Sequence, residues 1–290
     1  MTITQLHYTS TNTYMISGSK GILLFDTGWA GTFRAFCREM GEIGIPVQKI
    51  SYILISHFHP DHCGIAQEIS ETGPVIAVMD LQRGYVHAAD KILQREPEKG
   101  FRPIDDSRLR VVEMKNSRSF LQEMGIEGEI LATPGHSDDS ISLCLDDGSF
   151  FVGDLNPLYE LEMHRGTTIG ESWEMLLSRH PKAVYYGHAP AVRLGDPGAQ
   201  PGYPAVKLGD AAAQQDRQQD PGRPAGRDAA REYALVKRIM RYTDKGCSAE
   251  WIQKKTGLEL GWIKDVMRMY LTHPQVSVQG ILDRMEIRGR

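Results

Sequence analysis

Disulfide chemistry is the first thing this chain has little means for. Its four cysteines, Cys37, Cys63, Cys144 and Cys247, are widely scattered, and no CxxC pair occurs. Neither a disulfide framework nor a thiolate zinc site is indicated. Reduced thiols in a cytoplasmic protein are the expected state. No apolar run approaches the roughly 20 residues that span a bilayer. The first residues lack a charged segment followed by an apolar one, so no secretory signal is expected. A net charge of −4 supplies no global basic field for nucleic acid or membrane. No internal repeat is evident.

What is present fits a soluble globular protein. The 290 residues are 41 % hydrophobic and 24 % charged, enough for one large domain and a smaller one. Tyr14–Ile16 and Ile22–Phe25 read as a hairpin that ends in Asp26-Thr27-Gly28. Further strands are expected at Val47–Ile55, Val75–Met79, Leu109–Met114, Glu129–Ala132, Ile141–Leu145, Ser149–Val152 and Ala183–Tyr186. Helices are expected at Phe33–Met40, Asp61–Ile69, Val86–Gln94 and Glu171–Ser178. This alternation predicts an α/β class. Between Gly195 and Ala230, 19 of 36 residues are Gly, Pro or Ala. Such a segment buries too little surface to offset its ordering entropy. The expected organisation is therefore a domain over 1–194, a flexible linker over 195–230 and a helical domain over 231–290. In the last, Leu235, Val236, Ile239 and Met240 share one helical face, and Ile263, Val266, Met267, Tyr270 and Leu271 share another. Ser248 is a candidate N-cap, and Val276–Ile287 is read as a small hairpin or wing. From Asp228 onward twelve Lys/Arg stand against eight Asp/Glu, so this end is basic and the remainder acidic.

The chemistry concentrates in SHFHPDHCG. A short apolar run, Tyr52–Ile55, opens directly into His57-Phe58-His59-Pro60-Asp61-His62. Histidine and carboxylate suit zinc and other first-row divalent ions. Four potential ligands are too many for one ion with an open position, and the simplest reading is two metals. Three later residues, His136, Asp154 and His188, each follow a glycine at the end of a short apolar strand. Glycine there lets the backbone turn and approach closely. One such residue would be weak evidence; four strand ends delivering ligand types in one chain are not.

His57-x-His59-x-Asp61-His62 with His136, Asp154 and His188 resembles the full signature of the metallo-β-lactamase-fold hydrolases, over about residues 11–190. The resemblance implies a four-layer αββα sandwich with the site at one edge of its two sheets, followed here by a small helical, winged-helix-like domain. It implies that His57, His59 and His136 hold one ion, that Asp61, His62 and His188 hold the other, and that Asp154 bridges them. Asp26, in LLFDTG, would orient the ligands. Two ions can share a water and lower its pKa to roughly 7, and Asp61 would orient that water or carry its proton. The all-N/O ligand set makes Zn2+ the default, with Fe or Mn open. True β-lactamases generally lack the bridging Asp, which argues against antibiotic hydrolysis. Tyr159 matches a tyrosine that stabilises an oxyanion in the lactonases, and is equally readable as a loop aromatic on the sheet edge. Tyr186 is expected in the core, and Asp138 and Asp139 in a solvated turn. His7, His87, His164, His180 and His273 lack the strand-end context and are not expected to be ligands.

The expected function is hydrolysis of a small ester, thioester or lactone, as in glyoxalase II and the lactonases. The alternative is a metal-dependent nuclease or phosphodiesterase whose basic tail holds nucleic acid; the acidic catalytic domain argues against it. A non-catalytic regulator is a third reading, and the complete ligand set weighs against it. Small-molecule substrate is the expected partner, with a homodimer possible through apolar faces of the tail helices.

Overall fold

Strands buried on both faces explain the unbroken apolar runs, because each strand alternates its side chains between two cores. In the computed structural model, which describes residues 1–95, 97–194, 227–244, 247–272, 278 and 280–282, the chain forms two compact units, Met1–Pro201 and Gly202–Arg290. The side chains of Tyr159, Glu162, Met163, residues 227–231, Leu271 and Thr272 lie outside the described set.

In the first unit, strands β1 (Thr2–Leu6), β2 (Thr13–Ser17), β3 (Ile22–Phe25), β4 (Ile50–Leu54), β5 (Val75–Met79) and β6 (Arg110–Val112) form one sheet in sequence order. Its first three strands run antiparallel and the β3-β4-β5-β6 connections are parallel. The second sheet is ordered β11-β10-β9-β8-β7, from β7 (Gly128–Ala132), β8 (Ile141–Leu145), β9 (Ser149–Phe151), β10 (Ala183–Tyr185) and β11 (Val192–Arg193). Met15, Leu24, Ile53 and Val78 point to an outer core shared with Phe36 and Met40 of α1 (Phe33–Glu42). Their neighbours Tyr14, Leu23, Phe25, Leu54 and Met79 point the other way, onto Leu143 and Phe151 of the second sheet. Cys144 and Phe150 turn to a third core with Trp173 and Leu176. The layers are thus helix, sheet, sheet, helix, as the sequence reading expected.

Several local expectations are corrected. The helix read over 61–69 is two pieces, α2 (Pro60–Cys63) and α3 (Ala66–Ser70). Gly64 stands between them, where a Cβ would come within 2.3 Å of the Ala30 nitrogen. That close approach bends the chain across the 28–30 turn. The helix read at 86–94 is a 3-10 helix, Asp80–Tyr85, followed by the short α4 (Asp90–Leu93). The sequence missed β1, whose threonines hide its period, and α5 (Ser117–Glu123), which inserts Phe120 and Leu121 into the inter-sheet core. Helix α6 (Thr168–Leu177) starts three residues earlier than expected, with the Thr167 hydroxyl accepting from Gly170 N–H.

In the second unit, α7 (Arg227–Asp244), α8 (Ala249–Thr256) and α9 (Leu260–Thr272) share one core. Helix α7 begins inside the stretch read as linker, where alanines at 229 and 230 favour helix; 195–226 lies outside the described residues. Ser248 caps α8 through Trp251 N–H. Val236, Ile239, Ile263 and Val266 pack on one another. The apolar faces offered as dimer surface are therefore used inside the unit. Met269 belongs to that core and was not anticipated, and Leu271 cannot be placed among the described side chains. Of the segment read as a wing, the described residues Val278 and 280–282 are helical rather than extended. His273 lies outside the described set. Among the described residues, no helix is long and apolar enough to cross a membrane.

Phe151 is fully buried against Tyr14, Phe25 and Tyr185 at centroid distances of 5.1, 5.9 and 4.7 Å. Phe151→Ala is expected to cost about 3–5 kcal/mol, read as a lowered denaturant midpoint for the first unit. A loss below about 1 kcal/mol would show that the two sheets do not depend on this ring.

Candidate metal centre

The centre is assembled where strand ends of both sheets meet. Strand β4 stops at Leu54, the chain bends at Ser56 and His57, and His59 is extended again just before α2. Phe58 is 1 % exposed and packs in the outer core. Phe58 is anchored in the outer core, while its neighbours His57 and His59 on either side face the ligand cluster. Pro60 then opens α2, a position where its missing N–H costs nothing, and α2 delivers Asp61 and His62. The β7–β8 loop brings His136, the segment after β9 brings Asp154, and the segment after β10 brings His188.

The structure brings all seven predicted ligands together. Three groups have donor atoms within 4.8 Å of one another: His57, His59 and His136; His57, His62 and Asp154; Asp61, His62 and His188. Asp154 stands between the two outer groups. Its Oδ2 lies 3.6 Å from His136 Nε2 and 4.0 Å from His57 Nε2. Its Oδ1 lies 3.3 Å from His62 Nε2 and 3.4 Å from His188 Nε2. Asp61 Oδ2 is 2.9 Å from His188 Nε2, and His59 Nδ1 is 3.0 Å from His136 Nε2.

These residues fit metal ions on their own chemistry. His57 Nε2 is buried and makes no hydrogen bond, an arrangement that is costly unless a ligand completes it. The tautomers are set from behind. Asp26, fully buried, accepts the Ser56 N–H at 2.7 Å and the Ser56 hydroxyl at 2.9 Å, and lies 2.9 Å from His62 Nδ1. With Nδ1 donating to Asp26, His62 turns its Nε2 lone pair inward. Ser56 Oγ, 3.0 Å from His57 Nδ1, does the same for His57. Burial, with His62 and His59 beside it, pushes the His57 pKa well down. Burial also opposes charge on His62, but Asp154, Asp26 and Asp61 outweigh it and push its pKa well up. The carboxylates that raise the His62 pKa favour positive charge here, which a bound cation would supply.

Two glycines make the convergence possible. Gly153 has φ +54, and a Cβ on Gly187 would lie 2.6 Å from Asp154 Oδ1 and 2.9 Å from His62 Cε1. Asp26 itself has φ +63, an uncommon conformation that bends its carboxylate back under Ser56.

The remaining expectations divide. Tyr159 lies in the 3-10 helix Leu158–His164, but its side chain is outside the described set. Tyr186 is 2 % exposed and in the third core, as expected. His87 is paired with Asp90 and Asp106 on the surface, and His164 faces Glu160. Cys63 is buried, donates to His59 O, and has its thiol pKa pushed well up by burial. Asp138 is exposed, but Asp139 is not in a solvated turn. It is 3 % exposed and accepts the Phe58 N–H at 2.7 Å. Sequence reading also missed Thr11, Asn12, Thr27 and Gln82. Each bonds to backbone atoms of the ligand-bearing loops, and nothing in the sequence marks a backbone partner.

Residues 8–212 match the family profile described as the Metallo-beta-lactamase superfamily. A lactamase-like protein of Pestalotiopsis fici, ptaB, is 31 % identical over 150 residues, which is 50 % of this chain and 39 % of that protein. An atrochrysone carboxyl ACP thioesterase of Claviceps purpurea is 30 % identical over 153 residues, 51 % of this chain and 40 % of that one. The matched segments therefore span about two fifths of these relatives. Among solved structures, a metallo-beta-lactamase family protein from Thermus thermophilus superposes with a TM-score of 0.52 at 16 % identity, covering 96 % of this chain and 89 % of its own. The protein TTHA1623, solved in a di-iron-bound form, does so with 0.51 at 22 % identity, covering 67 % and 96 %. At these identities the likeness is one of fold.

Asp26→Ala removes the acceptor shared by Ser56 and His62. Metal affinity is expected to fall about 10–100-fold, measured by competition with a chromophoric chelator. Unchanged affinity would remove Asp26 from the site.

Proposed function

The chain belongs to the Metallo-beta-lactamase superfamily, and on that premise we propose that its first unit is a dinuclear metal-dependent hydrolase of a small ester, thioester or lactone, with a thioester favoured. The observation that carries the proposal is the division of Asp154, one oxygen toward His57 and His136 and the other toward His62 and His188. We assign His57, His59 and His136 to one ion, Asp61, His62 and His188 to the other, and Asp154 to both. Two divalent ions held by these residues would supply Lewis acidity to the scissile carbonyl and would lower the pKa of a nearby water to roughly 7. Zinc is the default for these nitrogen and oxygen donors, with iron or manganese also suited.

The chain's own residues then do three things. Asp26 and Ser56 hold the imidazoles of His62 and His57 with their Nε2 atoms inward. Asp61, whose Oδ2 faces His188, orients the attacking water and takes its proton at Oδ1. The water oxygen adds to the carbonyl carbon as the C=O π pair moves onto oxygen. As the carbonyl re-forms the C–S bond breaks, the thiolate takes the proton held by Asp61, and the acid product leaves as its carboxylate with its proton passing to solvent. We propose Tyr159 as the hydrogen-bond donor to the developing oxyanion, a role that would lower the barrier. The preference for a thioester draws on the relatives named as ACP thioesterases.

A second reading is phosphodiester hydrolysis on nucleic acid. It draws on the exposed Lys237, Arg238 and Arg241 of α7, and on exposed Trp251 of α8 with Lys255 over its ring at 5.7 Å. Aromatic faces among cations suit single-stranded nucleic acid.

The metal-loaded chain should turn over acyl thioesters in a screen that also contains lactones, phosphodiesters and RNA, and His59→Ala should lose turnover and one of its two ions. Full activity in His59→Ala would sink the two-ion mechanism. Turnover of RNA alone, with binding that weakens steeply as salt rises, would put the second reading first.

A further inference from the structure

The ligands come from chain segments far apart in sequence, and each outer group is tied together by its own set of buried or partly buried hydrogen bonds. On one side stands Gln82, fully buried in the 3-10 helix that follows β5. Its Nε2 donates to the carbonyls of Ile55 and Asp139, each at 3.0 Å, and its Oε1 accepts from Met79 N–H at 3.2 Å. Asp139 Oδ2 accepts the Phe58 N–H at 2.7 Å, and Ile141 N–H donates to Ser56 O at 2.9 Å. These bonds join the segment carrying His57 and His59 to the loop carrying His136. No bond of this set ends on Asp61, His62 or His188.

On the other side stand Thr11 and Asn12, just before β2. Thr11 Oγ1 donates to Asp61 O at 2.7 Å. Asn12 Nδ2 donates to Tyr186 O and Ala189 O, both at 3.0 Å, and its N–H donates to Gly187 O at 2.6 Å. These bonds join the start of α2 to the loop carrying His188. Metal ligation tolerates displacements of only about 0.2 Å, so whichever residue fixes a loop fixes that loop's ligand.

We propose that Asp139 and Asn12 are positioning residues with separate charges: Asp139 holds the group His57, His59 and His136 in register, and Asn12 holds the group Asp61, His62 and His188. Beyond Asp154, Asp26 and Ser56, which serve both groups, the two ions then draw on separate supports, and either can be weakened more than the other. The proposal rests on the two-ion reading above.

The test counts zinc bound per full-length chain and measures each affinity against a chelator. The wild type is expected to hold two ions. Asp139→Ala and Asn12→Ala are each expected to bind one of them about 10–100-fold more weakly. Pairing identifies which. Asp139→Ala should add nothing on a His59→Ala background and should remove the remaining ion on a His188→Ala background; Asn12→Ala should do the reverse. Asp139→Asn keeps an acceptor for Phe58 N–H and should restore the second ion, which a general packing role would not predict. If Asp139→Ala does not fold, shown by thermal unfolding without metal, Asp139→Leu replaces it. Equal weakening of both ions, or full retention of both, overturns the proposal while leaving the two-ion reading intact. A wild type that holds one ion overturns the two-ion reading itself.

Discussion

Five imidazoles and two carboxylates are gathered where water is largely excluded, and the first unit is built around holding them there. His57 and His62 have ring centroids 4.1 Å apart, and His57 and His59 4.4 Å. Such neighbours repel once protonated, and burial penalises each charge. The group is stable only if ring orientation is imposed from outside it and a cation completes it. The double sheet supplies the first condition. Strand ends fix where each ligand leaves the backbone, and apolar side chains such as Phe58 fix which way its neighbours face. Asp26 and the loop-tying residues then fix rotation about the last bonds.

The residues gathered at the centre stood out in the sequence because they lie just past strand ends, and for His136, Asp154 and His188 the pattern is an apolar run, a glycine, then a polar residue. The layers were legible for the same reason, since runs such as Tyr52–Ile55 must be covered on both faces. What was not legible depends on partners without residue identity. Asn12 bonds to the carbonyls of residues 186 and 189, and Gln82 to those of 55 and 139. Any residue has a carbonyl, so neither partner leaves a trace in the sequence. Asp139 was misread because a carboxylate beside another carboxylate suggests solvent, and only the fold shows the Phe58 N–H that it meets. Short helices such as α4 and α5 were misplaced or missed because four to seven residues carry too few turns to show a period.

The second unit follows a simpler logic. Its helices present Val236, Ile239, Ile263 and Val266 to one another, and its solvent face keeps lysines and arginines. Burying those apolar faces within the unit leaves Trp251 as its large exposed hydrophobic side chain among the described residues. The family profile ends at residue 212, so α7 to α9 are the part of this chain that the superfamily match does not cover.

Gly187 carries a consequence for how this chain can vary. The space under Asp154 and His62 is already filled to contact at that position. Glycine alone lacks a Cβ, so every missense change at codon 187 adds an atom about 2.6 Å from where Asp154 Oδ1 now sits. The floor of the site is closed to gradual drift. Inherited change in what the site accepts has to enter from the rim, through loops that touch the substrate and spare the ligands.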